Sequence, residues 1–104
     1  MFICSPNNPT GNSFDKNDII YLLENFNGIL VVDEAYIDFS KKESLIPYIN
    51  KYNNLIILQT FSKAWGMAGV RLGMAFSNEK IISLFNKVKY PYNINVLTLE
   101  TVSK

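Results

Sequence analysis

Among 104 residues the sequence has no histidine, one cysteine and one arginine. Each scarcity closes off some chemistry. Without histidine there is no Ser-His or Cys-His nucleophilic pair, and most zinc sites are excluded as well. Cys4, standing alone, forms no internal disulfide and fits a reducing, cytoplasmic compartment. An excess of one charge is also missing. Ten basic side chains face nine acidic ones for a net charge of +1, which gives no electrostatic case for nucleic acid or an anionic membrane as partner. The densest run of charge, Lys41-Lys42-Glu43, is mixed in sign and reads as a solvated loop. No apolar run approaches the roughly 20 residues of a membrane span, and none has the flanks of a signal peptide. Any chemistry must therefore run on lysine, carboxylates, tyrosine or a cofactor.

What is present suits one packed domain: 48% hydrophobic and 18% charged residues, in a chain short enough for a single modest core. Phe2-Ile3-Cys4-Ser5 reads as a buried strand, followed by the turn cluster Pro6 to Asn12, in which two prolines hold the backbone extended. Ser13 or Asp15 caps a helix to about Phe26, with Ile19, Ile20, Leu22, Leu23 and Phe26 as its apolar side and Gly28 past its end. Ile29-Leu30-Val31-Val32 is a second buried strand, closed by Asp33-Glu34-Ala35-Tyr36. Ile37 to Lys42 reads as loop, and Ser44 to Tyr52 as a short helix with Pro47 in its first turn. Leu55 to Thr60 is a third strand. Leu72 to Phe76 is a fourth, and with no helix before it this strand can run antiparallel to its predecessor. Asn78 caps an amphipathic helix to Lys89 that presents Ile81, Ile82, Leu84, Phe85 and Val88. Tyr90-Pro91-Tyr92-Asn93 breaks it, and Val96 to Lys104 begins something helical. The order implies an α/β fold, a mainly parallel sheet with flanking helices and right-handed crossovers. Both ends of the chain read as cut rather than finished.

The stretch around which this pattern is organised is Thr60 to Gly73. An apolar strand runs into Ser62-Lys63, then into a segment with three glycines and Arg71. Lys63 lies between Phe61 and Trp65 and is expected to lose hydration there, which makes an amine easier to deprotonate and more nucleophilic. Asn8 follows the first strand, Asp33 the second and Lys63 the third. Parallel strands bring their carboxyl ends to one edge, where ligand sites of open α/β sheets gather, so the three can face one cleft. Taken singly, each has a plainer explanation: a surface lysine in a glycine-rich loop, a carboxylate reaching solvent, an ordinary strand-to-helix connection. Together they offer an amine, a fixed negative charge and, from Arg71, a planar fork suited to phosphate. Ser62, Gly66 and Gly69 allow close approach of an anion, and Asn8 and Tyr36 are neutral hydrogen-bond partners. Pyridoxal 5′-phosphate, which needs a lysine and an acidic partner for its ring nitrogen, would use all of them.

Pro6-Asn7-Asn8-Pro9-Thr10-Gly11, Val32 to Phe39 and Thr60 to Gly73 resemble the corresponding motifs of fold type I aminotransferases of the class I/II group. Within that group they are most similar to the histidinol-phosphate aminotransferases, chiefly through Asp33-Glu34-Ala35-Tyr36-Ile37-Asp38-Phe39. The resemblance runs the length of the chain but covers only the central part of a family member's large, cofactor-binding domain.

It implies that Lys63 bonds the cofactor and shuttles a proton at the substrate Cα. It further implies that Asp33 pairs with the pyridinium nitrogen, that Asn8 and Tyr36 hydrogen-bond the phenolic oxygen, and that Ser62 and Arg71 hold the phosphate. It implies a topological switch point at Asn8, a contiguous block of strands with the fourth antiparallel, and a homodimeric enzyme. The implied reaction moves an amino group from glutamate to imidazole acetol phosphate, so the partners are small amino-acid and keto-acid substrates. Tyr92 and Asn93 are candidates for substrate contact, with a plain helix-breaking turn as the alternative. The family's upstream phosphate loop and the arginine that grips the substrate carboxylate are not found in this sequence, so the chain by itself is expected to be inactive. Three alternatives stay open. The chain can be a non-catalytic remnant, or belong to an enzyme of the same group acting on threonine phosphate or on aromatic or aliphatic amino acids. A nucleotide-binding sheet is disfavoured, because no Gly-x-Gly-x-x-Gly or P-loop spacing follows any strand.

Overall fold

Leu30, Val32, Leu55 and Ile57 lose all contact with water, and their positions explain the architecture. In the computed structural model, which describes residues 1–103, these four residues belong to the two central strands of a four-stranded sheet. The strands are β1 (Phe2–Cys4), β2 (Leu30–Asp33), β3 (Leu55–Thr60) and β4 (Gly73–Ser77). They lie side by side in chain order, with β1-β2 and β2-β3 parallel and β3-β4 antiparallel. The contiguous block and the antiparallel fourth strand agree with expectation. A switch point at Asn8 is not formed within this sheet, because β1 lies at its edge with β2 as its one neighbour.

Successive side chains of a strand point to opposite faces, and both faces here are apolar. On one face Leu30, Val32, Leu55 and Ile57 pack with Ile3, Leu45, Tyr52 and two residues of helix α1 (Lys16–Asn25), Ile19 and Leu23. On the other, Val31 and Ile56 meet Ile81 of helix α2 (Glu79–Val88), with Leu58 alongside. Cover on both sides is why β2 and β3 read as unbroken apolar runs. A fully buried Leu or Ile contributes about 1.5–3 kcal/mol. Both helices begin as their sequences dictate. Asp15 accepts a hydrogen bond from the Asn17 amide, and Asn78 accepts one from Ile81, satisfying N–H groups that the helix leaves open. Asn78 also donates to the Asn53 carbonyl (2.9 Å) and Ser77 to that of Leu55 (2.6 Å), stitching β4 to the start of β3.

Several expectations need correction. β1 is not a buried strand: Ile3 is buried, but Phe2 is 74% exposed and Cys4 is exposed, as an edge strand with helix cover on one face allows. Ile29 lies outside β2 and is exposed. Gly28 does not take up the left-handed conformation past a helix end. Its lack of a side chain matters because a Cβ would come within 2.9 Å of the Phe26 ring. Ile37 to Lys42 contains a 3-10 turn, Ile37–Phe39. The expected helix from Ser44 to Tyr52 contracts to another, Ile46–Tyr48, whose Pro47 removes a backbone donor at once. Of the five apolar positions expected on α2, Ile81 is buried and Ile82 half-buried, while Leu84, Phe85 and Val88 are exposed; Phe85 and Val88 line a shallow pocket with Gly73 and Ala75 of β4 that nothing fills among the described residues. A third helix, α3 (Val96–Val102), follows. The expected helical stretch extended to Lys104, which lies outside the described residues.

Truncating Ile57 to alanine is expected to lower unfolding stability by about 2–5 kcal/mol. Leu84→Ala, on the exposed face of α2, should change it by about 0.5 kcal/mol or less. Urea denaturation of the two variants followed by circular dichroism measures both.

Candidate functional site

The parallel ladders run on past the strands. Ser5 N–H donates to the Asp33 carbonyl (3.0 Å) and Glu34 N–H to that of Leu58 (2.8 Å). β1 and β2 therefore end level, β3 runs on to Thr60 beside β4, and three loops leave from one edge.

The first loop is tied into a fixed shape. Gly11 N–H reaches the Asn7 carbonyl and Asn7 N–H that of Asn12 (both 2.8 Å). The Asn7 amide donates to the Thr10 hydroxyl (2.6 Å), which in turn donates to Asn12. The Asn8 side chain is left to point outward, and its amide donates to the Tyr36 hydroxyl at 2.9 Å. That phenol comes from the second loop, 28 residues away. Phe39 stands against Tyr36, with ring centroids 6.3 Å apart. The third loop brings Lys63, whose ammonium lies 5.2 Å from the centre of the Tyr36 ring, within the range of a cation–π contact. Asn8, Tyr36 and Lys63 thus form one group built from three strand ends.

Electrostatics follow from this grouping. The Lys63 ammonium beside the Tyr36 phenol, and next the Asn8 amide, hold that hydroxyl below the ordinary tyrosine range. Desolvation and the Asp33 charge act weakly in the opposite direction. Asp33 is half-buried at the end of β2. One of its oxygens takes the Ala35 N–H at 2.9 Å. Among the described residues the one ion pair joins Lys42 and Asp15, so no cation neutralises Asp33.

Other expected members are arranged differently. Lys63 is exposed and Trp65 is 63% exposed, so the expected loss of hydration at Lys63 does not occur. The amine sits in a turn beyond the strand end, bordered by exposed Ala64 and Gly66. Gly66, at φ 65°, donates to the Lys63 carbonyl (3.0 Å), and Met67 donates to that of Phe61 (3.0 Å). This left-handed position suits glycine. Instead of one enclosed cleft, the three strand ends offer an open surface. A shallow pocket lined by Asn8, Tyr36, Phe39 and Ser40 adjoins it, with Lys63, Asp33 and Arg71 outside that lining. Ser62 N–H donates to the Thr60 hydroxyl (3.1 Å). Arg71 has φ 57°, and its guanidinium curls back to the Ala68 carbonyl (3.0 Å). It touches neither Lys63 nor Asp33. Tyr92 is exposed, and Asn93 lines a shallow pocket with Gly73 and Lys89 whose lining includes none of Asn8, Asp33 and Lys63.

Two residues that hold this edge together were not singled out from sequence. The buried Thr98 of α3 donates to the Val70 carbonyl (2.8 Å) and so fixes the turn before Arg71. Glu34 is 2% exposed. Its position next to Asp33 was a usable signal, because neighbours on a strand face opposite ways, and a carboxylate facing a core needs partners.

The model of the family described as aminotransferase class I and II matches residues 1–104. The chain belongs to the class I and II aminotransferases. Two similar members of this family are the histidinol-phosphate aminotransferases of Flavobacterium johnsoniae and Parabacteroides distasonis. They are 58% identical over 98 and 100 residues, which is 94% and 96% of this chain but 28% and 29% of theirs. The chain thus spans less than a third of the length of these relatives. Among solved aminotransferase-like structures, L-threonine-O-3-phosphate decarboxylase from Porphyromonas gingivalis superposes with a TM-score of 0.88 at 28% identity, over 98% of this chain and 32% of that one. Histidinol-phosphate aminotransferase from Sinorhizobium meliloti, in complex with pyridoxal-5′-phosphate, superposes with a TM-score of 0.84 at 27% identity, over 93% and 28%. The fold is thereby that of the PLP-dependent type I aminotransferases.

An ammonium favours phenolate over phenol, so removing it must raise the phenol pKa. Lys63→Met is expected to move Tyr36 up toward an ordinary tyrosine. Titration of ¹³Cζ-labelled tyrosine by NMR, with Tyr36→Phe for assignment, measures the change.

Proposed function

We propose that the chain is the central part of the pyridoxal 5′-phosphate-binding large domain of a histidinol-phosphate aminotransferase. The observation that carries this reading is the convergence of Asn8, Tyr36 and Lys63 from three strand ends, in a chain that matches the family throughout.

The residues fit the cofactor chemically. Among the described residues, Lys63 offers an amine engaged by no carboxylate, Asp33 a carboxylate neutralised by no cation, and Asn8 and Tyr36 a paired amide and phenol. When bound, pyridoxal phosphate supplies an aldehyde that accepts an amine and a protonated ring that withdraws electrons. Lys63 would hold the cofactor through its amine, and the same amine, when free, would move a proton at the substrate Cα. Asp33 holds the proton on the ring nitrogen by its fixed negative charge. Asn8 and Tyr36 would orient the ring through its phenolic oxygen. Ser62 and Arg71 bind the phosphate. The guanidinium spends one N–H on Ala68 and has the rest of its five donors for an anion.

In this reading the donor is glutamate, the acceptor is imidazole acetol phosphate, and the working enzyme is a cytoplasmic homodimer. The chain by itself turns nothing over, because a grip on the substrate carboxylate is lacking: its one arginine is assigned to phosphate. The structural likeness to a threonine-phosphate decarboxylase favours a second reading in which the substrate is threonine phosphate. The 58% identity to named histidinol-phosphate aminotransferases supports the first over it.

Pyridoxal phosphate added to the chain is expected to give a near-visible absorbance band and, after borohydride reduction, a mass increment on Lys63. Lys63→Ala should abolish both, while Asp33→Asn and Arg71→Gln should weaken binding by about tenfold each. Labelling spread over other lysines would sink the proposal. For the substrate, the chain can replace the matching segment of the Flavobacterium johnsoniae relative. The chimera should transfer nitrogen from glutamate to imidazole acetol phosphate and release no carbon dioxide from threonine phosphate.

A further inference from the structure

Glu34 lies next to Asp33 but takes no part in the chemistry just described. It shares its strand parity with Val32, so it faces the α1 side of the sheet, whereas Asp33 faces as Val31 does. Its carboxylate is 2% exposed and meets only neutral donors. The Ser44 hydroxyl (2.6 Å) and the Gln59 amide (2.9 Å) donate to Oε2, and the Leu45 N–H (2.8 Å) donates to Oε1. Its backbone is engaged as fully. The N–H donates to Leu58 (2.8 Å), and the carbonyl accepts from Ile37 (3.0 Å). A single residue therefore grips the loop at both ends, near Ile37 through its carbonyl and near Ser44 and Leu45 through its side chain. It also binds that loop to Gln59, four residues before Lys63 on the same segment. The first grip closes the turn that carries Tyr36, and Phe39 and Ser40 lie between the two.

A buried carboxylate without a cation is costly, and three well-aligned hydrogen bonds are what make it tolerable. A core of the same shape could be filled with apolar groups at lower cost. The arrangement makes sense if what matters is where the loop is held.

We propose that Glu34 is a positioning residue: its carboxylate cinches the 35–45 loop to the end of β3, and so keeps the Tyr36 hydroxyl on the Asn8 amide and its ring under the Lys63 ammonium. The consequence for pyridoxal phosphate rests on the function proposed above. The consequence for Tyr36 does not.

The test compares Glu34→Ala with Glu34→Gln in the full chain, reading Tyr36 by ¹³C NMR titration and folding by circular dichroism. The groups that bear on this phenol are Lys63, Asn8 and Asp33, none of which either substitution alters. Glu34→Ala should let the Tyr36 pKa rise toward the ordinary tyrosine range and weaken retention of pyridoxal phosphate by about tenfold. Glu34→Gln should restore both, because the Gln59 amide can turn over and present its carbonyl to the new NH2 group. A folded Glu34→Ala chain whose Tyr36 titrates as in the parent overturns the proposal. So does a Glu34→Gln chain that behaves like Glu34→Ala, since the charge rather than the tether would then be at work. If Glu34→Ala does not fold, Ser44→Ala combined with Gln59→Leu removes two of the three donors. It should raise the Tyr36 pKa in the same direction, and no change there overturns the proposal equally. The two levels are separated by the parent chain: if it takes up no pyridoxal phosphate, the function proposed above fails, while the tyrosine titration, which needs no cofactor, stays as informative as before.

Discussion

Register between parallel strands is the constraint on which the molecule depends. Cys4 pairs with Asp33, and Asp33 with Leu58; one more hydrogen bond on each ladder brings the chain out of the sheet at a common edge. A slip of one residue on β2 would turn Asp33 toward α1 and Glu34 away from it. Val31 and Val32 would exchange faces as well. Since both faces are apolar, hydrophobicity alone opposes such a slip only weakly. The polar residues at the strand ends oppose it strongly, because a buried Glu34 finds its three donors in one register only.

Local rules set the loops on that edge. The Asn7-Thr10-Asn12 network, the Glu34 carbonyl on Ile37 and the Gly66 turn are each closed by hydrogen bonds within a few residues. The first and third loops therefore hold much of their shape by themselves, the second is also closed by the Glu34 carboxylate on Ser44 and Leu45, and the strand register brings the three together. Tyr36 is where they meet, since it touches the Asn8 amide, the Lys63 ammonium and the Phe39 ring.

The sequence was most readable where one force acts alone. Leu55 to Thr60 is a strand with the expected ends, because an apolar run with a polar pair after it has few alternatives. Asp15 and Asn78 announce their helices by side chains that can accept a hydrogen bond and little else nearby that could. The topology led to the expectation that Asn8, Asp33 and Lys63 share one edge, since parallel strands bring their ends together; the contacts formed there join Asn8 and Lys63 through Tyr36 instead. Legibility failed where several parts of the chain compete. The apolar stripe of α2 predicts a covered face, but a stripe says nothing about what covers it, and Leu84, Phe85 and Val88 stand in water. The hydration of Lys63 depends on what stands over the strand ends rather than on its sequence neighbours. The bend of Arg71 toward Ala68 comes from a left-handed backbone that no residue type in Met67 to Leu72 advertises for a non-glycine. Glu34 was hidden by its neighbour, as the acid next to it had an obvious use.

Strand order that follows chain order has a bearing on biosynthesis. Each parallel strand emerging from a ribosome finds its partner already made, so the sheet can grow by addition at one side. The amide and the phenol would be joined as soon as β2 settles on β1, before β3 has docked and brought the amine to the same edge. A nascent chain would thus carry a finished hydrogen-bonding cradle for an aromatic oxygen before the third loop sets its amine beside it.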